Sequence, residues 1–326
     1  MHVARLHGPR DVRLGREAVP VPVPGEALIR ITTVGLCGSD LHWFETGRIG
    51  TTELADPLVL GHEAAGVVAV GPRRGERVVL EPAAPCGMCA PCRSGRAWLC
   101  SSGRFAGHTP QDGALREFMA WPADLLVPLP DAIEDPEAAL LEPLGVALHA
   151  LDLAGVDATT RAGVVGCGPV GLLIVRALRA AGVVEIAACD PLANRLAAAD
   201  ASGATAFDGA DGAGLSEIDV AFEASGEPDA VTTALRVVRP GGTVVLVGIA
   251  ADDRTVLSAS LARRKELTLV FARRMTAMDL PRAIRLVAGG QVDLGGLITH
   301  RFGLDDVALA FAALESRAGL KIVVEP

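Results

Sequence analysis

Tyrosine is absent from this 326-residue chain, and eight phenylalanines and three tryptophans are its only aromatic residues. A tyrosine acting as general acid or base is thereby excluded. A basic surplus is missing as well: 30 lysines and arginines stand against 39 aspartates and glutamates, a net charge of −9 with a pI near 5.3. Nucleic acid and anionic membrane, which require a basic face, are not expected as partners. Long apolar runs are also lacking. Half of the residues are hydrophobic and the mean hydropathy is +0.37, yet the longest run, Ala162 to Val175, is closed by Arg161 and Arg176. It falls short of the ~20 residues a membrane helix needs. The opening residues Met1-His2-Val3-Ala4-Arg5-Leu6-His7 contain no apolar signal core, so a cytoplasmic location is expected. In that compartment seven cysteines point to thiolate chemistry or metal rather than disulfides. The length suits two domains, one interrupting the other.

What is present begins with Gly35 to Glu63. Gly35-Leu36-Cys37-Gly38-Ser39-Asp40-Leu41-His42 is answered by Gly61-His62-Glu63. A thiolate, an imidazole and a carboxylate form the ligand mixture of a zinc site with one position left open for chemistry. Further on, Cys86, Cys89, Cys92 and Cys100 follow the spacing C-x2-C-x2-C-x7-C. Four soft ligands in one short loop match a closed, structural tetrahedral zinc site. Two disulfides, or reduced thiols without metal, are the alternatives, and a reducing compartment disfavours the first.

From Ala162 onward the pattern is that of alternating strands and helices. Gly163-Val164-Val165 reads as a buried strand. Gly166-Cys167-Gly168-Pro169-Val170-Gly171 is a G-x-G-x-x-G turn, and Leu172 to Ala181 reads as a helix stopped at Gly182. A second strand, Val183 to Cys189, ends in Asp190, about twenty residues past the third glycine, where a dinucleotide site places its acid. Glycines let the backbone approach a pyrophosphate at the helix N-terminus. The acid bonds ribose hydroxyls and repels a 2′-phosphate, which favours NAD over NADP. Arg195 could accommodate that phosphate, but solvation of a helix face or stacking on adenine is the expected role while Asp190 stands.

The remaining text fits this division. Ala27 to Ile31, Ala64 to Gly71, Arg77 to Leu80 and a strand pair within Gly113 to Pro130 make a β-rich beginning, and Asp131 to Pro136 opens a helix with acidic residues in its first turn. Glu142 lies in an apolar run that leads into a helix through His149 to Leu153; a carboxylate there calls for a partner, and an acid complementing the helix N-terminus is its other reading. Later segments are Ile218 to Glu223, a helix from Asp229 to Val238, a turn at Arg239-Pro240-Gly241-Gly242, strands Thr243 to Val247 and Leu267 to Phe271, helices from Leu280 and Asp305, and a last strand Leu320 to Val324. Strand–helix alternation of this kind implies a parallel doubly wound sheet.

Taken with Gly47-Arg48-Ile49-Gly50, Glu142-Pro143-Leu144-Gly145, Glu223-Ala224-Ser225-Gly226 and Thr299-His300-Arg301-Phe302, these motifs occur in a familiar order. The chain resembles, over nearly its full length, the zinc-dependent medium-chain alcohol dehydrogenases. Within them it is similar to the polyol group of sorbitol (L-iditol), L-idonate and xylitol dehydrogenases. That resemblance implies an α/β Rossmann NAD-binding domain, 145–275, inserted into a β-rich GroES-like catalytic domain made of 1–144 and 276–326. It implies catalytic zinc on Cys37, His62 and Glu63, with Glu142 reaching the metal directly or through water, and structural zinc on Cys86, Cys89, Cys92 and Cys100. Asp40 would orient the ligand histidine, and Ser39 and His42 would relay the substrate proton to solvent. Gly166, Gly168, Pro169, Val170, Gly171, Asp190, Arg195, Ser225, Val247 and Gly248 fall at cofactor positions.

The activity so implied is NAD-dependent interconversion of a secondary alcohol, a polyol or sugar acid, with its ketone, in a homodimer or homotetramer. Trp43, Phe44, Phe105 and His108 are candidate pocket residues, with packing as their other reading. Two segments, Gly71 to Gly75 and Ala206 to Ile218, look shorter than the family's, and Phe271-Ala272-Arg273-Arg274 stands where relatives carry Phe-Arg-Tyr at the polyol site. L-threonine 3-dehydrogenase and simple secondary alcohol dehydrogenase are alternatives in the same family. A non-catalytic NAD-binding protein and a redox sensor built on the cysteine loop are alternatives outside it.

Overall fold

In a computed structural model that describes residues 1–207 and 217–326, the β-rich unit is built on Glu26–Gly35. This ten-residue strand is buried along nearly its whole length, with Arg30 its exposed side chain. Phe118–Pro122, Glu63–Val70 and Lys321–Glu325 all pair with it antiparallel. Arg77–Leu80, Leu126–Pro128 and Ile298–Gly303 extend the sheet to seven strands; six run in the order Leu126–Pro128, Arg77–Leu80, Glu63–Val70, Glu26–Gly35, Lys321–Glu325, Ile298–Gly303, and Phe118–Pro122 joins Glu26–Gly35 off this path. The two strands expected between Gly113 and Pro130 are both present. They do not form a hairpin: Phe118–Pro122 lies on Glu26–Gly35 and Leu126–Pro128 on Arg77–Leu80, because the Ala123–Leu125 turn between them is helical.

Trp43, Trp121, Phe311 and the aliphatic residues of the strands form the core beneath this sheet. Each large apolar side chain fully removed from water contributes about 1.5–3 kcal/mol before the cost of ordering it. Trp121 is wholly buried, and its indole N–H donates to the Glu81 carbonyl at 2.9 Å, so its polar end is satisfied as well.

By internal packing the first unit comprises Met1–Glu142, Thr276–Gly289 and Leu294–Pro326, and the second Pro143–Met275 and Gly290–Asp293. The second unit is a six-stranded parallel sheet ordered Thr205–Ala206, Ile186–Cys189, Ala162–Val165, Ile218–Glu223, Val238–Leu246, Thr268–Phe271. Ala162–Val165 and Ile186–Cys189 are runs of small and aliphatic residues buried along their whole length, as parallel strands covered by helices must be, and Ile218–Glu223 is buried except at Asp219. Strand order reverses between Ala162–Val165 and Ile218–Glu223. In open sheets of this kind that switch point, at the strands' carboxyl ends, is where a ligand crevice forms.

Several boundaries move. The helix after the glycine turn begins at Pro169, whose missing N–H costs nothing in a first turn. The second strand starts only at Ile186. The Arg239-Pro240-Gly241-Gly242 segment expected as a turn lies within the strand Val238–Leu246, with a register shift against Ile218–Glu223. The helix expected from Asp131 starts at Asp135, and the one expected through His149 to Leu153 begins earlier, as Leu141–Ala154. A helix at Gly38–Thr46, between the first two metal-ligand candidates, had no counterpart in the sequence reading. The shortened segment Ala206 to Ile218 falls largely outside the described residues.

Candidate active site

The register of the first sheet assembles the site. Gly35 is paired with Glu63 on one side and with Val323 on the other. The chain just beyond Gly35 therefore meets the chain just before Glu63 and just before Val323. Cys37, His62 and Glu63 come together there, with their ligand atoms all within 4.8 Å of one another. Cys37 is half-buried, while His62 and Glu63 are 6% and 1% exposed.

Asp40 braces this group from the Gly38–Thr46 helix, fully out of water. One carboxylate oxygen accepts from the Cys37 N–H at 3.0 Å. The other accepts from the Gly61 N–H at 3.2 Å and lies 3.6 Å from His62 Nδ1. Burial alone would push the Asp40 carboxyl up, but the charge of His62 and these hydrogen bonds hold it below the ordinary carboxylate range. Burial likewise disfavours a His62 cation, yet Asp40 and Cys37 together raise its pKa well above the usual value. A cation is thus favoured at this point, which a metal ion satisfies in place of a proton. With Nδ1 turned to Asp40, Nε2 is left for a metal.

The sequence reading missed Lys321. It is 1% exposed, and its ammonium donates to the Leu36 carbonyl at 3.0 Å and, in a very short contact, to a carboxylate oxygen of Glu63. Burial works against its charge, but Glu63, Cys37 and Glu142 hold its pKa above the ordinary lysine value. The available signal was a lone cation in the apolar run Leu320 to Val324, which must have an anionic partner if it is buried.

Glu142 is 5% exposed in the first turn of Leu141–Ala154. Burial, and the negative charges of Glu63 and Asp40, raise its carboxyl to about 7 against the opposing pull of His62 and Lys321. It thus lies within electrostatic reach of the group but not among the three side chains whose donor atoms cluster.

Ser39 and His42 are half-buried on the Gly38–Thr46 helix, three residues apart and so on adjoining positions of one face. Phe105 lies beside the His62 ring at a centroid distance of 5.3 Å, and His108 meets Trp43 edge-on at 5.4 Å. Phe44, by contrast, stacks on Phe311 at 4.7 Å inside the core, so packing accounts for it. Phe271 is 66% exposed on the sheet-edge strand Thr268–Phe271 of the second unit.

The four-cysteine loop gathers Cys86, Cys89, Cys92 and Cys100 into a second group within the same 4.8 Å limit. All seven cysteines are free, and Sγ separations of 3.4, 3.5 and 3.7 Å are close to the roughly 3.8 Å expected for four sulfurs about 2.3 Å from a tetrahedral zinc. The N–H groups of Cys86 and Ser102 help to bring Cys100 down to about 6, while burial pushes Cys92 up to about 12. Backbone donors therefore favour the thiolate form that binds metal at Cys86 and Cys100, while Cys92 is held towards the thiol.

In the second unit the Gly166 to Gly171 turn runs straight into the helix Pro169–Ala180. A Cβ on Gly171 would lie 1.9 Å from the Gly166 carbonyl oxygen, so the helix can enter this closely only on glycine. Asp190 is pinned at the end of Ile186–Cys189, accepting from the Cys167 N–H at 2.8 Å and the Leu192 N–H at 2.9 Å. The spare lone pairs of both oxygens suit ribose hydroxyls. Arg195, half-buried on Ala193–Ala201, reaches the same turn, with a guanidinium nitrogen 3.7 Å from where a Gly168 Cβ would be. Ser225, exposed, and Val247 and Gly248, half-buried, follow the ends of the next two strands.

The chain is similar to known proteins over nearly its whole length. Residues 23–131 match the alcohol dehydrogenase GroES-like domain, and residues 169–289 match the zinc-binding dehydrogenase domain. A probable D-xylulose reductase A of Neosartorya fischeri is 36% identical over 343 residues, covering 98% of this chain and 95% of that protein. The sorbitol dehydrogenase of Bacillus subtilis is 34% identical over 348 residues, covering 100% and 97%. Among solved structures, L-idonate 5-dehydrogenase from Escherichia coli superposes with a TM-score of 0.91 at 28% identity, covering 100% of this chain and 98% of that one.

Proposed function

The chain belongs to the zinc-binding alcohol dehydrogenase family, and from that membership we propose that it interconverts a secondary alcohol and its ketone with NAD, using Cys37, His62 and Glu63 to hold the catalytic metal. The observation that carries the reading is the meeting of those three donors within 4.8 Å, with Asp40 behind them. Three protein ligands leave a position for a substrate oxygen. A zinc ion held by these residues would supply Lewis-acid polarisation of a substrate hydroxyl, and a nicotinamide would supply the hydride acceptor.

The protein's own part is to fix and discharge this arrangement. Asp40 holds the His62 ring by Nδ1, which keeps Nε2 facing the other donors. Lys321 balances the carboxylate of Glu63 without competing as a ligand, since an ammonium has no lone pair. Glu142 stands beside the group as an exchangeable carboxylate. Ser39 and His42, on one face of their helix, receive the proton released by the alcohol and pass it to water. Cys86, Cys89, Cys92 and Cys100 would hold a second, structural zinc.

The glycine turn seats the pyrophosphate, and Asp190 selects a free ribose hydroxyl over a 2′-phosphate. Replacing Asp190 with Gly should weaken NAD binding far more than NADP binding, and equal loss of both would overturn that selection. The names of the relatives, together with Glu142-Pro143 and Gly47-Arg48-Ile49-Gly50, favour a polyol or a sugar acid as substrate. A turnover screen of zinc-loaded protein with NAD against sorbitol, xylitol, L-idonate, 2,3-butanediol and L-threonine tests this. The expected result is turnover of a polyol or sugar acid, and exclusive turnover of L-threonine would overturn the substrate class.

Free thiols that act as metal ligands fit a reducing cytoplasm. Among the described residues no helix is long and apolar enough to cross a membrane. The strand Thr268–Phe271 ends one side of the parallel sheet with Phe271 exposed. An open edge of that kind suits pairing with a second copy, and light scattering on the purified protein, expected to give a dimer or tetramer, checks it.

A further inference from the structure

Glu223 takes no part in the steps above, yet it is a carboxylate 1% exposed at the end of a central strand, Ile218–Glu223. Burying a charge there is costly unless donors surround it. Its donors all come from one place. A single oxygen, Oε1, accepts from the Ser225 N–H at 2.7 Å, the Ser225 hydroxyl at 2.8 Å and the Gly226 N–H at 2.7 Å. The carbonyl of the same residue accepts from the N–H groups of Val247 at 2.8 Å and Gly248 at 3.0 Å. Glu223 therefore holds two turns, the one after its own strand by its side chain and the one after Val238–Leu246 by its backbone.

Both turns press on neighbours that leave no slack. A Cβ on Gly248 would lie 2.1 Å from the Gly226 nitrogen and 2.8 Å from the other carboxylate oxygen of Glu223, Oε2. A Cβ on Gly166, in the glycine turn, would lie 2.8 Å from the Ser225 Cβ. Next to it, the Ala224 N–H donates to the Val165 carbonyl at 2.9 Å. The ends of three adjacent strands, Ala162–Val165, Ile218–Glu223 and Val238–Leu246, are thus locked together, and they flank the point where strand order reverses.

We propose that Glu223 is a positioning residue for the dinucleotide. By holding the Ser225–Gly226 turn against Gly166 and Gly248, it sets the wall of the crevice that faces the pyrophosphate turn. This rests on the dinucleotide reading of the second unit. A residue needed only for folding would bond to the sheet or fill the core. The hydrogen bonds of this carboxylate go instead to a turn that carries proposed cofactor contacts, so its loss should free that turn and leave the strands in place.

The test is NADH binding, followed by fluorescence titration, together with amide hydrogen exchange in the intact chain carrying Glu223→Met or Glu223→Gln. Methionine keeps the length but cannot hold three donors, whereas glutamine keeps one carbonyl oxygen in place. The expected result for Glu223→Met is about tenfold weaker NADH binding, roughly 1.4 kcal/mol, with faster exchange at Ser225 and Gly226 and unchanged exchange at Ala221 and Phe222. Glu223→Gln should restore binding to within about threefold, because a neutral acceptor is weaker than a carboxylate but similarly placed.

NADH binding by Glu223→Met within twofold of wild type would overturn the proposal. So would equal loss in both variants accompanied by faster exchange along the strand, which is the mark of a folding role. If the methionine variant does not fold, the glutamine variant decides: NADH binding within about threefold of wild type, with any faster exchange confined to Ser225 and Gly226, supports the proposal, and a larger loss with faster exchange along the strand overturns it. Wild-type protein that binds neither NADH nor NADPH would sink the dinucleotide reading itself and this inference with it, an outcome distinct from the others.

Discussion

The two compact units build their candidate sites in opposite ways. In the second, the glycine turn, its helix and Asp190 lie within one strand–helix–strand passage, and the neighbouring strand ends complete them. In the first, Cys37, His62, Glu63 and Lys321 are joined across the length of the chain by the pairing of Gly35 with Glu63 and Val323. A local site can be altered one turn at a time. A site made by register holds charges that only their long-range partners satisfy, so a change at one member is felt both in chemistry and in folding.

The sharpest way to break this contrast is at Cys37. Cys37→Ser removes the soft donor from the register-built site, and turnover should fall by about a thousandfold or more, since Lewis-acid stabilisation is worth several kcal/mol and each 1.36 kcal/mol is tenfold. Metal analysis should show about one zinc lost per chain, with the cysteine loop still loaded. Full turnover by this variant would end the assignment.

Next in size is Lys321→Met, which leaves Glu63 buried without its cation. Removing one partner of a buried pair costs about 3–5 kcal/mol, so the urea midpoint should drop by the equivalent amount even in metal-free protein, where chemistry plays no part. A shift under about 1 kcal/mol in the metal-free protein would show that Lys321 is not the necessary partner of Glu63. Cys92→Ser, in the local four-cysteine loop of the same unit, should behave differently. It should release the structural metal and expose the 86–100 segment to protease at a cost of about 2 kcal/mol, while the catalytic metal stays bound. Loss of both metals together would mean that the loop and the register-built site are one cooperative structure.

This contrast also explains what the sequence disclosed. Motifs whose parts lie within a turn or two of each other, such as Gly166 to Gly171 or Cys86 to Cys100, are visible because local geometry is encoded locally. Cys37, His62 and Glu63 were legible as ligand types, but their meeting depends on strand register, which no spacing rule supplies. Lys321 was missed for the same reason: its partner lies 258 positions away. The helix Gly38–Thr46 was missed because its polar residues serve the site, Asp40 bonding Cys37 and Gly61, rather than forming an amphipathic pattern. Glu223 was seen as part of a motif, but the direction of its hydrogen bonds had to come from the fold.

The smallest effect is expected at the amino-terminal edge of the second sheet, where Asp219 is a local clasp away from both sites. Its carboxylate accepts from Arg239 Nε at 2.7 Å and from the Arg161 N–H at 2.8 Å. Burial raises its pKa, but these bonds and the two guanidiniums outweigh burial and bring it below the usual aspartate value. A carboxyl whose pKa is lower folded than unfolded contributes stability that is fully present above the unfolded value, about 3.9, and is lost as pH falls through the lower folded value. Because the side chain is 23% exposed, the contribution should be about 1 kcal/mol or less. Asp219→Asn should therefore lower the urea midpoint by a constant small amount between pH 7 and about 5, and the gap should narrow below about pH 4. A gap that widens on acidification would reverse the sign assigned here. A gap as large as that of Lys321→Met would show that a local clasp in the second unit can matter as much as a buried charge in the first.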